Sequence, residues 1–394
     1  MAPLRRSGDS PPVSIETGAA YEMLMSLVTI SETANHEVAE VGPEWLAATQ
    51  KRAGTALMKR LADFTQGSGD AFVHLIPLVY DSPAPRDVDT FLDHLAATDT
   101  DELVRQLLGY YDYHVQRTTS PQSLRAAVEG DAQAISEVLS ACEGWPEWHP
   151  FVERLLGLGS RRAKSELLGL LGDWRARVWQ AEEERLLPIL KRDAEAKRLL
   201  ARELPFERFV EVTTNGVRYV ARPDVERLVL IPSYVNRPWV SFAEQRGAMI
   251  LIYPVADESV SADADAPPLR LVRLTKALAD EKRLRILRAL AEKPSSLMEL
   301  AEQFEVPKTS MHHHMVQLRS AGLVSVSAGT KDKEYRLRND VLPGLAAMLA
   351  GYIASSSGGA DAGVASEPVG PRTRRTIGTR KPREAAVVGR RGGG

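Results

Sequence analysis

Apolar side chains recur every three or four residues along most of the first half of the chain, the spacing that lines one face of a helix. Tyr21, Leu24, Leu27 and Val28 mark such a face in a helix expected from Ala19 to Thr33, after a short strand at Val13-Ser14-Ile15. Trp45, Leu46, Thr49, Ala53, Leu57 and Leu61 repeat the habit between Pro43 and Phe64. Segments 87–97, 100–117, 121–141, 147–158 and 160–203 continue mostly as helix. Pro83, Pro85, Pro121, Pro146, Pro150 and Pro205 punctuate them, because proline lacks the N–H and restricts the residue before it.

At Phe206 the period shortens. Phe209 to Thr213 and Val217 to Val220 alternate around Asn215-Gly216, a pairing that predicts a hairpin. Val225 to Pro232 and Met249 to Tyr253 add apolar strand candidates, with a turn at Asn236-Arg237-Pro238 between them. A small, largely antiparallel sheet packed on the preceding helices is therefore expected. Ser259 to Pro268, rich in Ala, Asp, Ser and Pro, reads as a linker. The Gly-, Ser-, Arg- and Pro-rich stretch beyond Ser355 is too poor in large apolar residues to fold. No repeat of fixed period is present.

Helical spacing returns after the linker. Residues 269–280 and 281–293 form two amphipathic helices, the second with Leu284, Leu287, Leu290 and Ala291 on its apolar face and Asp280 as its N-cap. Ser296-Leu297-Met298-Glu299 has the form of a capping box, and Leu297, Leu300, Ala301 and Phe304 supply the core face of a third helix. A turn at Glu305-Val306 leads to a fourth helix, where Met311, Met315 and Leu318 make a narrow core stripe. Lys308, Thr309, Ser310, His312, His313 and Arg319 are left on its other faces, and Gly322 stands where it must stop. Leu323 to Val326 and Glu334 to Leu337 alternate as strands around a tip carrying Lys331 and Lys333. This order is that of a winged helix-turn-helix.

The predicted fold is thus α+β, mostly α. Residues 13–256 form a large helical domain with a small antiparallel sheet, 257–268 a linker, 269–354 the winged helix-turn-helix, and 355–394 a disordered basic tail. Charge follows this division. Residues 1–268 carry 28 Lys and Arg against 40 Asp and Glu, a net of −12; residues 269–354 carry 14 against 9, and residues 355–394 carry 8 against 3, each a net of +5. Phosphate would be repelled by the first part and attracted by the last. No run approaches the length of a membrane span, and Met1 to Pro12 lacks the apolar core of a signal peptide. Cys142 is the only cysteine, which excludes an internal disulfide and fits a reducing cytoplasm.

The C-terminal module resembles the ArsR-type winged-helix transcriptional regulators. Leu278-Ala279-Asp280, Arg283-Leu284-Arg285-Ile286-Leu287, Leu297 to Ala301, His313-His314-Met315 with Leu318, Ala321-Gly322-Leu323-Val324 and Tyr335-Arg336-Leu337 carry the resemblance, over about 85 residues. It implies a homodimer whose two recognition helices enter successive major grooves of a roughly palindromic operator in double-stranded DNA. It also implies dimer contacts through helices 269–280 and 339–353, the latter with Leu342, Leu345, Leu349 and Ile353. Ser14 to Glu16, Tyr21 to Leu24 and Leu230 to Pro238 are similar to a long domain fused to some bacterial members, which brings no known ligand. The family's metal sensors place cysteines on the helix matching Leu297 to Ala301; there are none here, so thiolate sensing is not expected.

Each candidate has a plainer reading. His312, His313 and His314 point about 100° apart on a helix and cannot converge on one metal ion, so His312 and His313 are assigned to DNA, with His314 either packed against the turn or beside them. Lys331 and Lys333 are phosphate contacts or solvated turn residues. The arginine-rich tail, Arg372 to Arg391, is a solubilising extension or a nonspecific DNA attachment. Cys142 has no companion motif, His36, His74, His94, His114 and His149 are scattered, and neither a phosphate loop nor a nucleophile elbow occurs. Glu182-Glu183-Glu184 reads as a solvated face, and Trp145, Trp148, Trp174, Trp179 and Trp239 as core rather than pocket. The sequence thus describes a cytoplasmic dimeric regulator, most simply a repressor, with no cofactor, no metal and no enzymatic activity, answering to an unknown small-molecule effector. The competing classes are an enzyme or ligand-binding domain with a fused DNA-binding module, and an interaction scaffold with a vestigial winged helix.

Overall fold

In the computed structural model, which describes residues 10–355 apart from 144, 146, 261–266 and 329–332, the N-terminal helices close around one central helix, Ala19–Ser31. All thirteen of its residues are buried, so the face predicted from Tyr21, Leu24, Leu27 and Val28 is only part of its contact. Two of its polar residues are paired to distant segments. Trp174 Nε1 donates to Ser26 Oγ at 3.0 Å, and Thr29 Oγ1 donates to the Val235 carbonyl at 3.0 Å. The long segment 160–203 is helical throughout but changes pitch. Ser160–Trp174 passes through a π-helical turn, Arg175–Trp179, into Gln180–Glu203. The wider turn lets Trp174 and Trp179, five positions apart, both enter the core at 0% and 1% exposure.

Four strands, β1 (Val13–Ile15), β3 (Arg227–Ser233), β4 (Ser241–Gln245) and β5 (Ala248–Pro254), make the first sheet in the order β1-β3-β5-β4. The expectation of a largely antiparallel sheet is corrected here. β1, β3 and β5 run parallel, and only β4 is antiparallel, against β5. Both faces are covered. Val229, Ile231, Ile250 and Ile252 join the helical core, while Leu228, Leu230, Met249, Leu251 and Tyr253 join a second core shared with the C-terminal module. Continuous apolar runs suit a parallel sheet buried on two sides, since neither face can be polar.

The hairpin expected around Asn215-Gly216 does not form. Phe206–Thr213 is a helix that buries Phe206, Phe209, Val210 and Thr213, a spacing of three, four and seven residues. Asn215 and Gly216 end it in left-handed backbone at φ 52° and 107°, with the Gly216 N–H donating to the Glu211 carbonyl at 2.7 Å. The strand that follows, β2 (Val217–Tyr219), pairs parallel with β7 (Val324–Ala328) of the C-terminal module, in the register Val217 to Val326. The second sheet therefore has the order β2-β7-β8-β6, with β6 at Ser295–Ser296 and β8 at Glu334–Leu337.

The C-terminal module has the winged helix-turn-helix order. Its helices are Leu269–Leu278, Glu281–Glu292, Leu297–Gln303, Lys308–Ser320 and Leu342–Ser355. Asp280 caps the second through the Arg283 N–H, and Ser296 with Glu299 forms the capping box of the third. In the second helix Ile286, Leu287 and Leu290 form the core face, whereas Leu284 is 48% exposed and Ala291 also faces solvent. Within the expected linker, Asp257–Val260 is a short helix, and residues 261–266 lie outside the described residues. Among the described residues no helix is long and apolar enough to cross a membrane.

One buried acid in the body makes stability depend on pH. Glu22 is fully buried and accepts hydrogen bonds from the Tyr234 and Val235 N–H groups at 2.8 Å each. Burial lifts its pKa from 4.5 to about 7, only partly offset by the Ser233 hydroxyl and those two N–H donors. Between these values the unfolded chain releases the proton while the folded chain holds it, so stability falls as pH rises through that window. Glu22→Gln keeps the acceptor and cannot ionise. It is expected to match the wild type near pH 4 and to exceed it by about 3 kcal/mol near pH 8. Urea denaturation at both pH values checks this; a gap that does not widen with pH removes Glu22 as its source.

Candidate nucleic-acid interface

The helix Lys308–Ser320 follows Pro307, whose fixed φ suits a helix start, and its first turn carries Lys308, Thr309 and Ser310, all exposed. Met311, Met315 and Leu318 lie at 1%, 1% and 0% exposure and anchor it. It stops as the sequence predicts. Gly322 adopts φ 70°, its N–H donates to the Arg319 carbonyl at 2.8 Å, and Leu323 folds back into the core at 0% exposure. His313 is exposed beside the first turn. His314 is half-buried near Asp280 and Arg283 at the start of helix Glu281–Glu292, where burial lowers its pKa first and Asp280 pulls the other way.

His312, Arg319 and Lys333 have a different setting from Lys308 to Ser310. His312 is open to water on one side, yet burial on the other lowers its pKa. The nearby Arg319 and Lys333 charges add to that shift, and Glu147 of the N-terminal body opposes it. Burial likewise lowers the Arg319 pKa, with Tyr335 opposing. Lys333 remains exposed in area but its ammonium stands 5.7 Å from the Phe242 ring centroid on β4, a cation–π distance. Desolvation and Arg319 lower its pKa, and Asp112 and Asp70 counter them. Lys331 and the tail from residue 356 lie outside the described residues.

Two contributors were not legible as site residues. Val316 is 8% exposed and, with Arg319 and Ser320, lines a narrow crevice opposite Pro238, Trp239 and Val240 of the body. Asn215 reaches across from the end of helix Phe206–Thr213, its Nδ2 donating to the carbonyls of Arg319 at 3.3 Å and Ser320 at 3.1 Å. It thereby satisfies carbonyls that a helix end leaves without intrahelical partners. Its Oδ1 also lies 2.6 Å from the place a Cβ on Gly322 would take, so glycine is required there by contact as well as by backbone angle. The sequence signal for Asn215 is the Asn-Gly pair, which suits a hairpin tip and a left-handed helix end alike. Among the described residues no three His, Cys, Asp or Glu side chains gather as a metal set.

A capped helix, a tight turn, an exposed polar helix and a two-stranded wing define a winged helix-turn-helix protein. The helix-turn-helix domain family matches residues 278–327. Over 70 residues the chain is 37% identical to the HTH-type transcriptional regulator KmtR of Mycobacterium tuberculosis, covering 18% of this chain and 54% of that protein, about half its length. Over 78 residues it is also 37% identical to the HTH-type transcriptional regulator YceK of Bacillus subtilis, covering 18% of this chain and 78% of that one. Among solved structures it is similar to the homodimeric winged helix-turn-helix DNA-binding domain of a possible ArsR-family regulator from Mycobacterium bovis. That match has 26% identity, covers 27% of this chain and 97% of that one, and has a TM-score of 0.20. HlyU from Vibrio cholerae is 29% identical, over 21% of this chain and 90% of that one, with a TM-score of 0.18. The chain belongs to the HTH-type transcriptional regulators.

Proposed function

We propose that this regulator acts as a repressor and binds a roughly palindromic operator as a homodimer. In this reading Lys308, Thr309, Ser310, His312 and His313 face base edges, and Lys331, Lys333 and Arg319 face the backbone. The observation that carries it is the helix Lys308–Ser320, which presents an exposed polar first turn from a buried Met311, Met315 and Leu318 anchor. Dimerisation is supported by the packed helices Leu269–Leu278 and Leu342–Ser355. They leave Leu269, Leu342, Leu349 and Ile353 exposed at 42%, 40%, 43% and 59%, an apolar surface that a second copy would cover. The N-terminal body is assigned to signal reception by a small-molecule effector rather than to catalysis. Cys142 supports this, being buried at 4% exposure with its thiol pKa raised by that burial. The site of action is the cytoplasm, where the DNA is.

The test is genome-wide mapping of bound DNA. Bound regions are expected to share two inverted half-sites about 10 base pairs apart centre to centre. Lys331→Ala is expected to weaken every site alike and to flatten the salt slope by about one unit. Bound regions with no common motif would overturn the operator reading.

A further inference from the structure

Resting on the DNA-binding reading above, we propose that the N-terminal body is an intramolecular competitor for DNA. Its acidic rim, Asp70, Asp112 and Glu147, together with Phe242, holds the His312 and Lys333 side of the reading surface where backbone phosphates would otherwise lie.

Geometry carries this. Positions 312, 316 and 319 are spaced by four and three residues and so share one stripe of the helix, and that stripe faces the body. Val316, Arg319 and Ser320 close on Pro238, Trp239 and Val240, leaving about 10 Å³ between them, room for at most one water. Asn215 grips the last carbonyls of the same helix. At the mouth, Lys333 is seated on the Phe242 ring, with Asp112 and Asp70 acting on its charge, and Glu147 acts on His312. The neighbouring stripe, with Lys308, Thr309 and His313, stays open.

A duplex could therefore meet the first turn but not His312 and Lys333 together while the rim is engaged. Phosphate approaching that side also meets three carboxylates. Asp70 and Glu147 are exposed and Asp112 is half-buried, so the charge they exert at the mouth on Lys333 and His312 is screened by salt. The apolar packing lies behind it, in the core shared by Phe209, Val210 and Val217 with Val324 and Val326. The mouth can thus open without breaking that core. An effector or a second copy that favours the open mouth would raise DNA affinity by its preference for that state.

The full chain is tested by fluorescence anisotropy against a labelled mixed-sequence duplex of about 30 base pairs at low salt. Asp70→Asn, Asp112→Asn and Glu147→Gln together are expected to tighten binding about tenfold, in line with removing three like charges from the phosphate path. Glu129→Gln, Glu184→Gln and Glu195→Gln change the net charge equally at exposed positions elsewhere, and should shift binding by less than about twofold. Phe242→Leu alters no charge and keeps an apolar seat, yet should tighten binding severalfold by releasing Lys333. Equal tightening by both triple variants, or no change with the rim triple and Phe242→Leu, overturns the inference and leaves the DNA-binding reading intact. If neither the wild type nor any variant binds DNA, both fall together.

Discussion

Replacing Lys308, Thr309, His312 and His313 together by alanine is expected to remove sequence-specific DNA binding while leaving the protein folded. Each side chain that reads a base edge contributes roughly 1–3 kcal/mol of discrimination. Neighbours on one helix are not additive, yet a combined loss of at least about a hundredfold in affinity for a mapped operator follows from the lower end of that range. The four residues are exposed and alanine is the strongest helix former, so the helix itself should persist on its Met311, Met315 and Leu318 anchor. Operator affinity and helical circular dichroism, measured on the same preparation, separate the two effects. Unchanged operator affinity would move the reading surface away from this helix.

Arg237→Ala is expected to be the most destabilising single charge removal in the body, at roughly 3–5 kcal/mol. Arg237 is 2% exposed and donates to Glu40 at 3.0 and 2.9 Å, to the Val255 carbonyl at 2.8 Å, and to Asp257. Arg273, in the first helix of the winged module, donates to the same two carboxylates, at 2.8 and 2.7 Å to Glu40 and 3.0 Å to Asp257. Two guanidinium groups and two carboxylates thus alternate across the junction between body and module. Burial alone would lower the Arg237 pKa, but Glu40 and Asp257 outweigh it and hold the charge in place. Without Arg237 both carboxylates keep only Arg273, whose side chain is 20% exposed against 3% for Arg237. Arg273→Ala should therefore cost clearly less. Urea denaturation of both variants checks the ranking, and equal losses would show that the cluster is not weighted toward its buried member.

Local signals in this chain were legible where their physics is local. Asp280, the Ser296 and Glu299 capping box, Gly322 and the Met311, Met315, Leu318 stripe all act within a few residues, and each occupies the role its spacing implies. Trp148, Trp174 and Trp179 are core residues at 7%, 0% and 1% exposure. Glu182 shows the opposite case. In the run of three glutamates read as a solvated face it is 4% exposed, accepting from Trp45, Arg52 and Arg185. Its partner Arg52 lies 130 residues away in the chain, so no local pattern marked it. The arginine hydrogen bonds outweigh burial and keep its pKa low.

By itself the sequence determined the winged module, its helix Lys308–Ser320 and the class of protein, because caps, turns and apolar spacing specify short elements through contacts inside them. Only the tertiary structure decided that Phe206–Thr213 is a helix, that the body's sheet is mostly parallel, and that β2 completes the wing's sheet. Those outcomes depend on which distant surface each segment meets, and a short apolar run fits either a helix or a strand until that surface is present. The same holds for the helix Lys308–Ser320. Its polar face was visible in the sequence, but its covering along Val316 and Arg319 by an acidic body arises from contacts between segments about a hundred residues apart, as in the 104-residue separation of Asn215 and Arg319.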